Sequence, residues 1–120
     1  MEQTTSTKLE RLTTENFYHK LMLSEGCAPI KMTDEDWTRL GKCIDDIYDH
    51  FTCRLLAIAR LSGRELKICY MVKLNVPPVN MSSLLYVSKA AITLARRRLH
   101  KKLTGKEGTA SQFDELIRNF

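Results

Sequence analysis

Between Thr33 and Leu55 the apolar residues Trp37, Leu40, Ile44, Ile47, Tyr48, Phe51 and Leu55 recur every three or four positions. That is the period of a helix with one face turned to a core. Thr33, followed three residues later by Asp36, reads as a capping pair at its start. The aspartates and His50 near position 50 interrupt the pattern, so 34–60 is either one helix or two. Upstream, residues 1–6 are polar and expected to fray, and Leu9, Leu12, Phe17, Leu21 and Met22 form a looser helical stripe over Thr7–Ser24. Glu25-Gly26-Cys27-Ala28-Pro29 reads as a loop.

The second half is punctuated more sharply. Ser62 and Glu65 form a capping box in front of a helix whose inner face is Leu61, Ile68, Cys69, Val72 and Val76. Asn75 stands where a helix end needs a residue tolerant of positive φ, and Pro77-Pro78 forbids continuation. A short helix follows from Val79 to Tyr86, with Met81 and Leu85 inward. After a turn at Val87-Ser88, Ser88 caps a helix from Lys89 to Leu103 that ends at Gly105. Phe113, Leu116, Ile117 and Phe120 mark a last amphipathic helix. No segment reads as a strand, so the expected fold is all-α, with a helical extension over 1–60 and a helix-turn-helix domain over 61–120.

Composition narrows the classes. The chain has 120 residues, 43% of them hydrophobic and 28% charged, which suits one globular core rather than a disordered chain. There is no run of 18 apolar residues and no basic-then-apolar leader at Met1–Thr7, so no membrane partner is expected and the expected location is the cytoplasm. Cys27, Cys43, Cys53 and Cys69 form no CxxC pair, and His19, His50 and His100 lie far apart. Neither a metal set nor a cofactor is expected, and the thiols are read as reduced. Glu65, Asp45, Asp46 and the histidines could act as acids or bases, but no nucleophile–base spacing joins them, so no enzyme activity is expected.

Charge changes the picture most. Residues 1–60 carry eight Lys/Arg against ten Asp/Glu, and residues 61–120 carry eleven against four. The second half therefore holds +7, with Arg96, Arg97, Arg98, His100, Lys101 and Lys102 crowded together. Such a cluster suits a polyanion. At about 100° per residue, Ser88, Ile92, Ala95, Leu99 and Leu103 share an inward arc. Ala90, Thr93, Leu94, Arg97 and Lys101 share the opposite one.

On that outward arc Ala90, Thr93, Leu94 and Arg97 are the candidate base readers. Arg97 could donate two hydrogen bonds to guanine, and Thr93 and Leu94 could touch thymine methyls. Ser88, Lys89, Arg98, His100, Lys101 and Lys102 are the candidate phosphate contacts. Arg96 lies near the inner face and is expected to pair inside the fold, with Glu65 as the candidate partner.

The ordered set Leu61-Ser62-Gly63-Arg64-Glu65, Asn75, Met81-Ser82-Ser83-Leu84-Leu85, Ser88-Lys89-Ala90-Ala91-Ile92 and Lys101-Lys102-Leu103 resembles the DNA-binding domain of LuxR-type (GerE-type) bacterial transcriptional regulators. Asn75 stands where that family has Gly, Ser82 where it has Ala, and Pro78 where it often has a capping Asn. The resemblance implies a four-helix domain of the winged-helix-like DNA-binding superfamily, with 113–120 on the fourth helix, often used for dimerisation. It implies sequence-specific binding of double-stranded DNA, with the 89–103 helix in the major groove, by a homodimer on paired half-sites. The competing reading is a helix-turn-helix used to bind protein, such as RNA polymerase or a partner regulator, as in the C-terminal domain of sigma factors.

Leu66, Tyr70, Leu74, Leu84 and Tyr86 would leave an exposed apolar patch on a free second half. Helices of the first half are expected to cover it, with Trp37, Ile44, Tyr48 and Phe51 as the covering side chains. A dimer surface is the alternative.

Overall fold

The computed structural model describes residues 11–12, 16–23 and 31–120. The expected fraying of 1–6, the place of Leu9 on the first stripe and the loop at 25–29 with Cys27 lie outside these residues. The described chain is all-helical and contains no strand. Its helices are α1 (Asn16–Leu23), α2 (Asp34–Ile47), α3 (Phe51–Ile58), α4 (Gly63–Lys73), α5 (Pro78–Leu85), α6 (Lys89–Thr104) and α7 (Ala110–Arg118).

The helix boundaries follow local chemistry. Reciprocal capping boxes open α2 (Thr33 with Asp36), α4 (Ser62 with Glu65) and α7 (Thr109 with Gln112). Each satisfies donors that the first turn leaves without a partner. The 34–60 segment is two helices because Asp49 and His50 both take left-handed backbone, with φ of 54° and 57°. The His50 N–H turns back to the Asp45 carbonyl (2.8 Å), which closes α2. Asp45 Oδ1 then accepts from the Thr52 N–H (2.7 Å) at the start of α3.

The same device ends α4, where Asn75 has φ 62° and the Val76 N–H reaches the Met71 carbonyl (2.9 Å). It also ends α5, where Tyr86 has φ 58° and the Val87 N–H reaches Ser82 (3.0 Å). Pro78, whose missing N–H costs nothing at a first helical position, starts α5.

One core joins both halves. Tyr70 and Leu74 are buried, Leu84 likewise, and Leu66 is half-buried. Tyr70 is held by the first half. Its ring meets Phe51 at 6.3 Å, its hydroxyl shares a hydrogen bond with Thr52 (2.7 Å), and α2 approaches it at Gly41. Tyr86 was expected under the same cover but is 66% exposed. Its left-handed backbone ends α5 and turns the side chain to solvent.

Lys73 is the pivot between α3, α4 and α7. Its ammonium donates to the Ile117 and Arg118 carbonyls (3.2 and 3.0 Å), where a helix C-terminus attracts cations. The faces of Tyr48 and Phe51 lie 4.6 and 5.5 Å away. Burial pushes its pKa below the ordinary lysine value, with the nearby Arg54 charge acting the same way.

Phe120 packs edge-on against Phe51 at 5.7 Å, under the Arg54 guanidinium at 4.9 Å. Arg54 also donates to the Phe120, Tyr48 and Asp49 carbonyls (2.9, 2.6 and 2.9 Å). At the other end of the core, buried Asn80 donates from Nδ2 to the Leu21 and Met22 carbonyls (2.8 and 3.2 Å), fastening α5 to α1.

Candidate nucleic-acid interface

The α6 helix is positioned by its cap, its inner face and its ion pairs. Ser88 Oγ accepts from the Ala91 N–H at 3.0 Å. Ser88 had been placed on the inward arc, but its side chain is committed to the cap and the residue is exposed. Ile92 and Leu99 are fully buried, and Ala95 and Leu103 pack against the same core. Gly105, with φ 78°, closes the helix by returning its N–H to the Lys101 carbonyl (2.7 Å).

Arg96 points inward, and its partner is Asp114 on α7 rather than Glu65. The guanidinium and carboxylate meet in two parallel bonds of 3.1 and 2.8 Å. That fork-to-fork geometry fixes the rotation of α6 about its own axis. Glu65 is occupied elsewhere. One of its oxygens accepts from the Ser62 N–H (2.8 Å) and from Lys102 Nζ (2.9 Å). Burial works to raise its pKa, but the Ser62 N–H and the Lys102 ammonium outweigh this and hold the carboxyl below its ordinary value.

The outward arc is as expected. Ala90, Thr93, Leu94, Arg97 and Lys101 are all exposed, Leu94 at 42%. Among the described residues Arg97 makes no direct hydrogen bond or ion pair, in contrast to Arg96 one residue earlier. A cleft of about 590 Å³ runs beside Thr93 and Arg97, walled on its far side by Glu107, Gly108, Thr109, Ala110 and Ser111.

The six candidate phosphate contacts divide. Lys89 and Arg98 are exposed and, among the described residues, have no side-chain partner. Lys102 is paired with Glu65, and Lys101 with Glu107 at 2.9 Å. His100 is half-buried, its Nδ1 within 2.9 Å of the Lys106 carbonyl and its ring against Gly108. A Cβ on Gly108 would lie 2.4 Å from that ring, so the imidazole serves as a prop for the α6–α7 loop.

Two residues on this surface were not singled out from the sequence. Arg64 lines a groove between α4 and α6 together with Arg98, Ala91 and Leu94. Its signal was its place in the first turn of the helix that Ser62 caps. Glu107 is the other, and its signal was isolation, since it is the one acidic residue between Glu65 and Asp114.

The thiols offer little chemistry beside this surface. Cys69 is buried and its pKa is pushed up to about 12 by burial, with the Glu65 charge adding to it. Cys53 is exposed and Cys43 half-buried. Among the described residues no three His, Cys, Asp or Glu side chains gather as a metal site, and no helix is long and apolar enough to cross a membrane.

No protein-family model, curated protein or solved structure matches this chain.

Proposed function

We propose that the chain binds double-stranded DNA sequence-specifically in bacterial transcriptional regulation, with α6 lying in the major groove. This is the function expected of a LuxR-type helix-turn-helix domain on a helical extension. The observation that carries the reading is the contrast between adjacent arginines: Arg96 is locked onto Asp114 while Arg97 stands exposed beside Ala90, Thr93 and Leu94. A helix of 16 residues is about 24 Å long, enough to lie along a groove about 12 Å wide. Small residues toward its start allow close approach, and an arginine fork matches the acceptor pair of guanine.

Ser88, Lys89, Arg98 and Arg64 then serve the phosphates, and Lys101 and Lys102 join them by exchanging their carboxylate partners for phosphate. Two copies bind paired half-sites about one helical turn apart. What α7 offers to a second copy is its exposed residues Ser111, Gln112, Glu115 and Arg118, because Phe113 and Ile117 are buried within the fold. The protein works in the cytoplasm, without cofactor or catalysis.

The test is selection of bound duplexes from a random pool, followed by affinity measurement across salt concentrations. A selected motif with two-fold symmetry and a falling affinity with salt are expected. Arg97→Ala should cost about 1–3 kcal/mol on the selected duplex and relax base preference at one position of the motif. Enrichment of no motif, with no salt-sensitive duplex affinity, would reject the reading in favour of protein docking.

A further inference from the structure

Glu107 stands out on a basic surface. It is the one acid in the 48 positions from 66 to 113, yet it lines the clefts beside Arg97 on the proposed interface. It holds Lys101 at 2.9 Å and lines two clefts with Arg97, one of them shared with Leu94, Arg98 and Lys101. Arg97 and Lys101 are four positions apart and so project from one side of α6.

The carboxylate is also carried by a fixed loop. The Lys106 carbonyl lies against His100 Nδ1 (2.9 Å), and Thr104 Oγ1 accepts from the Lys106 N–H (3.1 Å). Gly108 abuts the His100 ring, and Thr109 begins α7 through its capping box. The hydrogen bond from Lys101, the Lys101 charge and the nearby Arg97 and His100 hold the Glu107 carboxyl below its ordinary pKa. A charge kept on this loop therefore faces whatever faces Arg97.

We infer that Glu107 is a specificity-determining residue that acts as a built-in competitor for phosphate. In the free protein its carboxylate occupies Lys101 and offsets the Arg97 charge. An arbitrary duplex must displace it or suffer its repulsion. A duplex with the right base edges recovers that cost through Arg97, Thr93 and Leu94, so the carboxylate widens the gap between specific and arbitrary DNA. The inference rests on the DNA reading above.

The experiment compares the full chain with Glu107→Gln and with Glu35→Gln, which makes the same change of net charge on an exposed α2 position that lines neither cleft. Each is titrated with random-sequence duplex and with the selected duplex over a range of salt. Glu107→Gln is expected to tighten random-duplex binding about three- to tenfold at low salt, the scale of one exposed ion pair plus one removed repulsion. Its log–log salt slope should steepen by about 0.9, one further phosphate neutralised. The gain on the selected duplex should be smaller, and Glu35→Gln should stay near wild type.

Equal tightening by both variants would assign the effect to net charge and overturn the inference. So would no tightening by Glu107→Gln, or loss on the selected duplex alone, which would make the carboxylate a base reader. If the wild type itself shows no salt-sensitive duplex binding, the DNA reading fails first and this inference fails with it.

Discussion

Removing the carboxylate of Asp114 is the sharpest probe of how α6 is oriented. The Arg96 and Asp114 side chains are 8% and 14% exposed and joined by two bonds. Asp114→Ala leaves a guanidinium nearly out of water with no counter-charge. Breaking such a pair costs about 3–5 kcal/mol when both groups are fully buried. The residual exposure of Asp114 lets water relieve part of this, so the low end, about 3 kcal/mol, applies. With a urea slope of about 1.5 kcal/mol per molar, the unfolding midpoint should fall by about 2 M.

Replacing both partners, as Arg96→Met with Asp114→Leu, should recover most of the loss, because no buried charge remains. Arg97→Ala, one position along, should shift stability by less than about 0.5 kcal/mol, as an exposed residue does. Urea melts of the four proteins, followed by far-ultraviolet circular dichroism, decide the matter. A cost below about 1 kcal/mol for Asp114→Ala would refute the claim that this pair fixes the helix. Equal costs for Asp114→Ala and Arg97→Ala would refute the division of roles between the two arginines.

Two further outcomes are expected. Gly108→Ala places a methyl 2.4 Å from the His100 ring and should cost about 1–3 kcal/mol in urea melts; adding His100→Ala should make the combined cost smaller than the sum, and strict additivity would refute the prop. Glu65, whose folded pKa is depressed, contributes stability that is present above its ordinary value of 4.5 and is lost as pH falls through the lower folded value. The stability advantage of wild type over Glu65→Gln should therefore shrink as pH drops below about 4.5, and an advantage that persists or grows there would refute the assignment.

What the sequence disclosed was what local chemistry controls. Thr33, Ser62 and Ser88 were legible as caps because the side chain bonds to the backbone three residues on. Asn75 was legible as a helix end because few residues tolerate φ of 62°. The outward arc of α6 followed from helical arithmetic alone.

Pairings across long separations were not legible. Glu65 was the candidate for Arg96, but the packing of α7 on α6 selects Asp114, 18 positions away, while Glu65 is taken by Lys102, 37 positions away. His100 looked like one more cation in a basic run, because nothing local announces that Gly108 folds back onto its ring. Tyr86 read as apolar surface needing cover. A tyrosine in left-handed backbone is uncommon enough that the turn, rather than the ring, was the feature to weigh.

The contacts from Arg54 to Phe120, one hydrogen bond to its carbonyl and the guanidinium over its ring, span 66 positions of chain. They seat the far end of α7 on α3, while Asp114, nearer the other end of α7, grips Arg96. The basic helix is thus braced from behind by residues encoded well upstream of it. A shift of α3 would pull on that end of α7, which itself packs on α4 and on α6. The amino-terminal helices are therefore part of the mounting of α6, and under the DNA-binding proposal a change in them would reach the groove without a separate relay.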